Sequence, residues 1–282
     1  MAEPIYSGDP NQPKIALTFD DGPHPNYTSE LLGILSKYSV RATFFCLGEN
    51  VNEHPDIARQ VVNEGHLIAN HSYTHPSLPK LDKDDDVLKQ LRDTNTLIQS
   101  VTGKTPEYFR PPYGETDKRI NDLAGSLGLT PILWSVDTND WQGLGVDAIF
   151  NTLISVKNGS IILCHDGVKK SNETLQAVDI AIPQLQGRGL NFVTVFELLA
   201  DGINLQRNQP TITIPHLSIP PIAQPKPGQK YGVQPDDYLS KIAEKAYGDG
   251  SEQSWKKIYE ANRDVIGPDP NKLVPGMLIF IP

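Results

Sequence analysis

The sequence predicts a distorted (β/α) barrel of about seven strands, followed by a small α+β domain of βααβ order. Residues 1–204 alternate short apolar runs with longer segments that are apolar at helical spacing. Repeated strand–helix units favour parallel strands joined by crossover helices, and seven or eight such units close most economically into a barrel. An open doubly wound sheet is the alternative. A proline-rich segment, residues 205–228, precedes the small domain at residues 229–282.

Short apolar runs, most of them bounded by turn-forming residues, predict the strands of the larger domain. They are Ile15–Phe19, Ala42–Leu47, His66–Ala69, Tyr108–Phe109, Ile132–Val136, Ser160–Cys164 and Phe192–Val195. Helices are predicted between these runs. The apolar positions from Leu31 to Tyr38, for example, recur at helical spacing after Thr28, a residue type that caps helices.

The proline-rich segment and the C-terminal residues form separate parts of the predicted organisation. Six prolines and no acidic residue occur in residues 205–228, which indicates an extended, semi-rigid linker. Residues 229–282 have the pattern of a strand, two helices and a last strand after Pro275-Gly276. We therefore predict a domain at 1–204, a linker at 205–228 and a second domain at 229–282.

The composition excludes several classes of protein. Apolar residues make up 38% of the chain and charged residues 21%, which predicts a globular protein and not a disordered one. The net charge of −9 would repel nucleic-acid phosphates, so we expect no nucleic-acid partner. No apolar stretch approaches the ~20 residues that span a membrane, and the first residues lack the basic and apolar regions of an export signal. The chain is thus either cytoplasmic or a mature exported form.

Polar side chains follow five of the predicted strands. They occur in the segments Thr18–Pro23, Asn70–His75, Arg110–Gly114, Asp137–Trp141 and His165–Asp166. In parallel (β/α) folds, chemistry collects just past the carboxyl ends of the strands. We therefore expect these five segments to meet on one face of the domain.

Each of these segments has an ordinary structural interpretation when it is taken alone. Asp20-Asp21-Gly22-Pro23 suits a turn, and the pair His71 and His75 lacks the glutamate of a zincin helix. Arg110 suits a salt bridge, and His165 suits a hydrogen-bonded core. Taken together, two imidazoles and one carboxylate are the ligands of a catalytic zinc site that leaves one position for water. A second, adjacent carboxylate could deprotonate that water.

The five segments resemble the five motifs of the NodB-homology polysaccharide deacetylases, carbohydrate esterase family 4. The matching residues are Thr18–Pro23, His71–His75, Arg110–Tyr113, Asp137–Trp141 and Leu163–His165. All five occur in order and on the expected strand ends. The resemblance implies a metal-dependent hydrolase that removes N-acetyl groups from polysaccharides containing N-acetylglucosamine.

The resemblance also implies which residues bind the metal and which residue acts as the base. Asp21, His71 and His75 would bind one divalent metal ion, usually zinc. Asp20 would act as the general base on the attacking water, and Arg110 would hold Asp20.

Further roles are implied for the acid and for the substrate pocket. His165 would protonate the leaving amine, and Asp140 would orient His165. The backbone N–H of Tyr113 would stabilise the oxyanion, while Trp141 and Leu163 would line the acetyl pocket. Amide hydrolysis independently requires an activated nucleophile, an electrophile on the carbonyl oxygen and a proton for the poor leaving group. The spacing alone leaves open whether Asp137 or Asp140 contacts the histidine.

Residues 229–282 resemble a LysM module over their whole length. Members of that family bind glycans containing N-acetylglucosamine in a shallow groove between the loop after the first strand and the loop before the last. The first of these loops is Pro235-Asp236-Asp237-Tyr238 here, where the family usually has Pro-Gly-Asp-Thr. We assign these four residues to glycan binding and expect Asp236 to reshape the groove.

The two resemblances together predict a deacetylase whose first substrate is peptidoglycan and whose second is chitin or chitooligosaccharide. We expect a monomer that is extracellular, periplasmic or associated with the cell wall, its export signal already removed. An acetylxylan esterase and an inactive glycan-binding protein are the alternatives. A LysM module disfavours xylan, and the intact motifs disfavour inactivity. A glycoside hydrolase that uses Asp20 and Asp21 is disfavoured because adjacent residues cannot easily flank one glycosidic bond.

Overall fold

The computed structural model describes residues 3–206, 225–233, 237–270, 273 and 277–282. The chain divides into two compact units, Met1–Pro210 and Thr211–Pro282. Most of the predicted linker, residues 207–224, lies outside the described residues, as do Pro235 and Asp236 of the predicted glycan-binding loop.

Eight strands form one curled sheet in the first unit. They are β1 (Lys14–Asp20), β2 (Thr43–Cys46), β3 (Leu67–Asn70), β4 (Tyr108–Phe109), β5 (Thr130–Pro131), β6 (Val136–Asp137), β7 (Ile161–His165) and β8 (Asn191–Phe192). Their order is β5-β4-β3-β2-β1-β7-β6, and β8 pairs with the start of β1. All of these pairings are parallel. The sheet is a half-barrel, which confirms the predicted (β/α) architecture.

Crossover helices connect these strands, and a further helix follows β8. They are α1 (Tyr27–Lys37), α2 (Gly48–Glu53), α3 (Pro55–Asn63), α4 (Asp84–Thr102), α5 (Lys118–Ser126), α6 (Val146–Ile154), α7 (Ser171–Gly187) and α8 (Val195–Gln206). Within the described part of the chain, no helix has both the length and the apolar character needed to cross a bilayer.

Successive residues of β1 place their side chains on opposite sides of the sheet. Ile15, Leu17 and Phe19 are buried in the core that the helices share, whereas Ala16 belongs to the cluster inside the half-barrel. Successive side chains of a strand point to opposite faces. Asp20, an even-numbered position at the carboxyl end of β1, is thereby placed on the same side as Ala16.

The predicted strand Ile132–Val136 is wrong as a single element, because β5 ends just before it, at Pro131, and β6 begins at its last residue, Val136. The backbone N–H of Ile132 still donates to Phe109 of β4 (2.8 Å), but that of Ser135 donates to Ile161 of β7 (3.0 Å). The carbonyl groups of Ile132 and Leu133 instead accept hydrogen bonds from a buried arginine side chain. The segment therefore crosses from one side of the half-barrel opening to the other.

The second unit has its own core between two strands and three helices. Its elements are β9 (Gln229–Gly232), α9 (Leu239–Tyr247), α10 (Glu252–Glu260), α11 (Arg263–Ile266) and β10 (Leu278–Ile281). The two strands are antiparallel, with Gly232 opposite Leu278. Ile242, Ile258 and Ile279 are fully buried between the helices and the strand pair.

Candidate active site

A cavity of about 400 Å³ opens in the first unit, where the carboxyl ends of the strands meet. It is lined by Asp20, Asp21, His71, His75, Pro111, Tyr113, Gly114, Trp134, Asp137, Trp141, Leu163, His165 and Val168. Ten site residues were predicted in this unit, and eight of them line the cavity. The other two, Arg110 and Asp140, are fully buried. They form hydrogen bonds with the cavity residues Asp20 and His165, respectively.

Arg110 and Asp20 form a buried ion pair at the base of the cavity. The Arg110 Nη1 donates to Asp20 Oδ1 (2.7 Å) and to Thr18 Oγ1 (2.8 Å). Its Nε and Nη2 donate to the carbonyl groups of Ile132 and Leu133, each at 3.2 Å. A buried charge is tolerated when it is paired and fully hydrogen-bonded. Arg110 therefore fixes Asp20 and leaves Asp20 Oδ2 without a contact to the guanidinium.

Asp21, His71 and His75 form a cluster with the donor set of a metal site. Asp21 Oδ1 lies 3.4 Å from Nε2 of His71 and 3.4 Å from Nε2 of His75. One ligand atom from each residue lies within 4.8 Å of the others. The same Asp21 Oδ1 is buried without a hydrogen-bond partner among the described residues. A buried, unpartnered carboxylate oxygen between two imidazole nitrogens fits a divalent transition metal.

Neighbouring groups act differently on the three clustered residues: the pKa values of Asp21 and His75 are lowered, whereas Asp20 and Asp21 raise the pKa of His71 against the effect of burial. Burial opposes the ionisation of Asp21, but the neighbouring imidazoles, His71 first, outweigh it and lower the Asp21 pKa to about 2. Burial lowers the pKa of His75, and the charge of His71 lowers it further. Metal ligands must be deprotonated, as an ionised carboxylate and a neutral imidazole are.

Backbone and side-chain contacts orient both imidazoles. The Nδ1 of His71 forms a 2.8 Å hydrogen bond with the Arg110 carbonyl oxygen, which leaves Nε2 facing the cluster. The His75 backbone N–H donates to Ser72 Oγ (3.1 Å). Ser72 and His75 both have a positive φ, 68° and 59°, a conformation that non-glycine residues keep only when their surroundings hold it.

Gln90, on α4, holds the loop between the two histidines and was not predicted from the sequence. Its Oε1 accepts hydrogen bonds from the backbone N–H groups of Tyr73 (2.8 Å) and Thr74 (2.9 Å). Its Nε2 donates to Thr74 Oγ1 (3.0 Å). A glutamine on a solvated helix face carries no sequence signal for this contact.

His165 is paired with Asp140 and not with Asp137. His165 Nδ1 lies 2.7 Å from Asp140 Oδ1, and the His165 backbone N–H donates to Asp140 Oδ2 (2.8 Å). Asp140 also accepts hydrogen bonds from the Trp141 backbone (3.0 Å) and from Thr174 Oγ1 (2.7 Å). Burial lowers the pKa of His165, but the hydrogen bond and charge of Asp140 outweigh it and raise that pKa to about 9. Asp137 lines the cavity instead.

The predicted oxyanion donor and pocket wall lie around the same cavity. Tyr113 lines the cavity and has a positive φ of 61°. The side chains of Tyr113 and Trp141 are exposed, whereas Leu163 is buried. Trp134 also lines the cavity and was missed, although alternation with Ile132 in the predicted strand could have placed it on the inner face.

The predicted glycan-binding loop of the second unit is described in part. Asp237 accepts a hydrogen bond from the Tyr231 hydroxyl (2.5 Å) and pairs with Lys245 (2.9 Å). Tyr238 is 60% exposed. Asp237, Tyr238 and Trp255 line a separate cavity of about 230 Å³.

Known proteins resemble the first unit in sequence and in fold. The family model described as polysaccharide deacetylase matches residues 7–132. A peptidoglycan-N-acetylglucosamine deacetylase of Bacillus cereus is 39% identical over 192 residues, which cover 67% of this chain and 70% of the relative. A chitooligosaccharide deacetylase of Rhizobium leguminosarum bv. trifolii is 36% identical over 189 residues, covering 63% of this chain and 87% of the relative.

A solved structure shows the same fold. The crystal structure of the Bc1960 peptidoglycan N-acetylglucosamine deacetylase matches with a TM-score of 0.67 at 38% identity, and the match covers 69% of this chain and 91% of that chain. The identity, the coverage and the shared half-barrel confirm the resemblance noted for the larger domain. The chain belongs to the polysaccharide deacetylase family, carbohydrate esterase family 4.

Proposed function

We propose that the first unit hydrolyses the N-acetyl groups of N-acetylglucosamine in peptidoglycan, with chitin or chitooligosaccharide as the second substrate. The observation that carries this proposal is the convergence of three groups on one cavity: the Asp21-His71-His75 cluster, the Asp20–Arg110 pair and the His165–Asp140 pair. The names of the two curated relatives support the choice of polymers. All of these residues come from one chain, so a monomer suffices for the reaction.

Asp21, His71 and His75 would hold one divalent metal ion, and zinc suits the two nitrogen donors and one oxygen donor. When bound, the metal polarises the amide carbonyl and makes water a nucleophile at neutral pH. Asp20 takes the proton of the attacking water through Oδ2, because Arg110 occupies its Oδ1.

The remaining residues act on the substrate amide. The Tyr113 N–H donates to the carbonyl oxygen as negative charge develops there. His165 protonates the leaving nitrogen through Nε2, because its Nδ1–H donates to Asp140. The His165 pKa of about 9 keeps the ring protonated at neutral pH. Trp141 and Leu163 line the wall that takes the acetyl methyl group.

Residues 229–282, which lie within the second unit, are proposed to be a LysM module that binds the same glycan, after a domain at 1–204 and a linker at 205–228. Support comes from the order β9, α9, α10, α11 and β10, in which the four-residue α11 is added to the predicted strand–helix–helix–strand order, and from the exposed Tyr238 at the edge of the smaller cavity. A cell-wall polymer as substrate would place the protein outside the cytoplasm, in the periplasm or at the wall.

The proposed function is tested by measuring acetate release from peptidoglycan, chitin oligosaccharides and acetylated xylan in parallel assays. Peptidoglycan is expected to release acetate fastest and xylan slowest. Faster release from xylan would identify an acetyl esterase instead, since the same residues can cleave an ester. No release from any of the three would favour the inactive glycan-binding protein.

His71→Ala is expected to lose most of the bound metal, because it removes one of the three ligands. Metal content per chain is measured after dialysis, and the wild type should retain about one equivalent of zinc. His54→Ala is the matched control, because His54 precedes α3 and is not part of the cluster. Undiminished zinc in His71→Ala would contradict the assignment.

Removal of the second unit is expected to affect insoluble substrate more than soluble substrate. A chain that ends after Pro210 should hydrolyse soluble N-acetylglucosamine oligomers about as fast as the full chain. On insoluble peptidoglycan it should be slower, by up to ~10²- to 10⁴-fold, because tethering raises the effective concentration of the enzyme at its substrate. Equal loss on both substrates would show that the second unit supports folding and not targeting.

A further inference from the structure

Asp166 is a buried carboxylate that the proposed reaction does not use. It follows His165 directly, is fully buried and does not line the cavity. Its Oδ2 accepts a 2.5 Å hydrogen bond from Thr28 Oγ1, whereas its Oδ1 has no partner among the described residues. Burial raises the Asp166 pKa to about 7. A buried carboxyl group with an unpartnered oxygen costs free energy, so a compensating role should be visible in its contacts.

Those contacts are with the turn that carries the proposed metal ligand Asp21. The Asp166 backbone N–H donates to the Asp20 carbonyl (3.1 Å), immediately before the ligand. Its carboxylate packs against Gly22, immediately after the ligand: a Cβ atom on Gly22 would lie 2.6 and 2.7 Å from the two carboxylate oxygens. Through Thr28 the same carboxylate is joined to α1.

The turn itself needs such support. Asp21 has a φ of +71°, which a residue with a side chain adopts only where its surroundings impose it. Its carbonyl oxygen accepts a hydrogen bond from Asn50 Nδ2 (2.7 Å). On the other side it lies against Gly167, where a Cβ atom would be only 2.1 Å from that oxygen. The residues after β7 therefore close one side of the turn, and Asn50 closes the other.

We propose that Asp166 is a positioning residue that fixes the Asp20–Gly22 turn so that Asp21 holds its carboxylate between His71 and His75. The proposal rests on the metal site of the proposed function. Groups that lie behind metal ligands set ligand orientation and commonly change metal affinity by ~10- to 100-fold when replaced. Asp166 would act on affinity through the backbone of the ligand, without touching metal or substrate.

The test is the zinc dissociation constant of the full chain, measured by competition with a chelator. Asp166→Ala removes both the packing and the hydrogen bond, and it is expected to weaken zinc binding ~10- to 100-fold. Asp166→Asn keeps the shape and one acceptor for Thr28, so a smaller loss is expected. Asp264→Asn makes the same substitution at an exposed position in the second unit and should bind zinc like the wild type.

Thermal melting of the metal-free protein separates positioning from general support of the fold. Lower melting temperatures with unchanged zinc affinity in the Asp166 variants would overturn the proposal. If Asp166→Ala does not fold, the proposal is tested with Thr28→Val and Asp166→Asn. Thr28→Val removes the donor to Asp166 Oδ2, so it should also weaken zinc binding. If the wild type does not bind zinc, the proposed metal site is wrong and this inference falls with it. If the wild type and the Asp166 variants bind zinc equally tightly, only this inference is overturned.

Discussion

Asp20→Asn is expected to retain its metal and to lose ~10²- to 10⁴-fold in the rate of deacetylation, the usual contribution of a general base. The replacement keeps the size of the side chain and an oxygen that can accept from Arg110, but the amide cannot take a proton from water. Because Asp20 is not one of the three clustered ligands, zinc content should stay at the wild-type level. Acetate release from a soluble oligomer and metal content are measured on the same preparation.

Stability must be followed in the same variant, because the change leaves the buried Arg110 without an ionised partner, which is a destabilising arrangement. Asp137→Asn is the matched control: it also removes a carboxylate from the cavity lining but leaves the Asp20–Arg110 pair intact. It should lose much less activity than Asp20→Asn. If folded, zinc-loaded Asp20→Asn deacetylates at a rate within about tenfold of the wild-type rate, another group is the base.

The meeting of the site residues on one face could be predicted from the sequence, because it follows from parallel strands. Asp20 and His165 end β1 and β7 and lie opposite each other in the register of that strand pair. His71 and Arg110 directly follow β3 and β4. Once these runs are recognised as parallel strands, their carboxyl ends share one edge, whatever the lengths of the helices between them.

The partner of His165 could not be predicted, because it depends on loop geometry and on a distant residue. Asn139 has a positive φ of 51°, and a short 3₁₀ turn follows it. Asp140 is then held by Thr174 on α7, which is 34 residues away in sequence. Spacing along a strand and loop carries no information about either feature, so Asp137 and Asp140 were equivalent until the fold was known.

The division of the predicted fifth strand has a similar tertiary origin. Residues 132–136 are apolar enough for one strand, but the carbonyl groups of Ile132 and Leu133 accept hydrogen bonds from Arg110. A carbonyl group that accepts from a buried guanidinium is diverted from strand pairing. The contribution of Asp166 was overlooked for a related reason, since its contacts are with a turn that lies far from it in sequence.

Asp140→Asn is expected to lower the alkaline limit of activity and to reduce the rate at mildly alkaline pH by ~10²- to 10⁴-fold, the scale of a lost general acid. The hydrogen bond and charge of Asp140 raise the His165 pKa to about 9 against the effect of burial. His165 must be protonated to act as the acid, so wild-type activity should fall as the pH rises through that value. Without the carboxylate charge, the strongest opposition to burial is lost, and the His165 pKa falls.

The four hydrogen bonds of Asp140 make asparagine a particularly poor replacement. Each carboxylate oxygen accepts two of them, whereas the amide has one oxygen and an NH₂ group that would face two donors. Thr174→Val is the matched control, because it removes one of these donors and keeps the charge, so its alkaline limit should stay close to that of the wild type. The measurement is a profile of kcat/KM against pH for a soluble oligomer. An unchanged alkaline limit of activity in Asp140→Asn would mean that Asp140 does not govern the protonation of His165. The general acid would then be another group in the cavity.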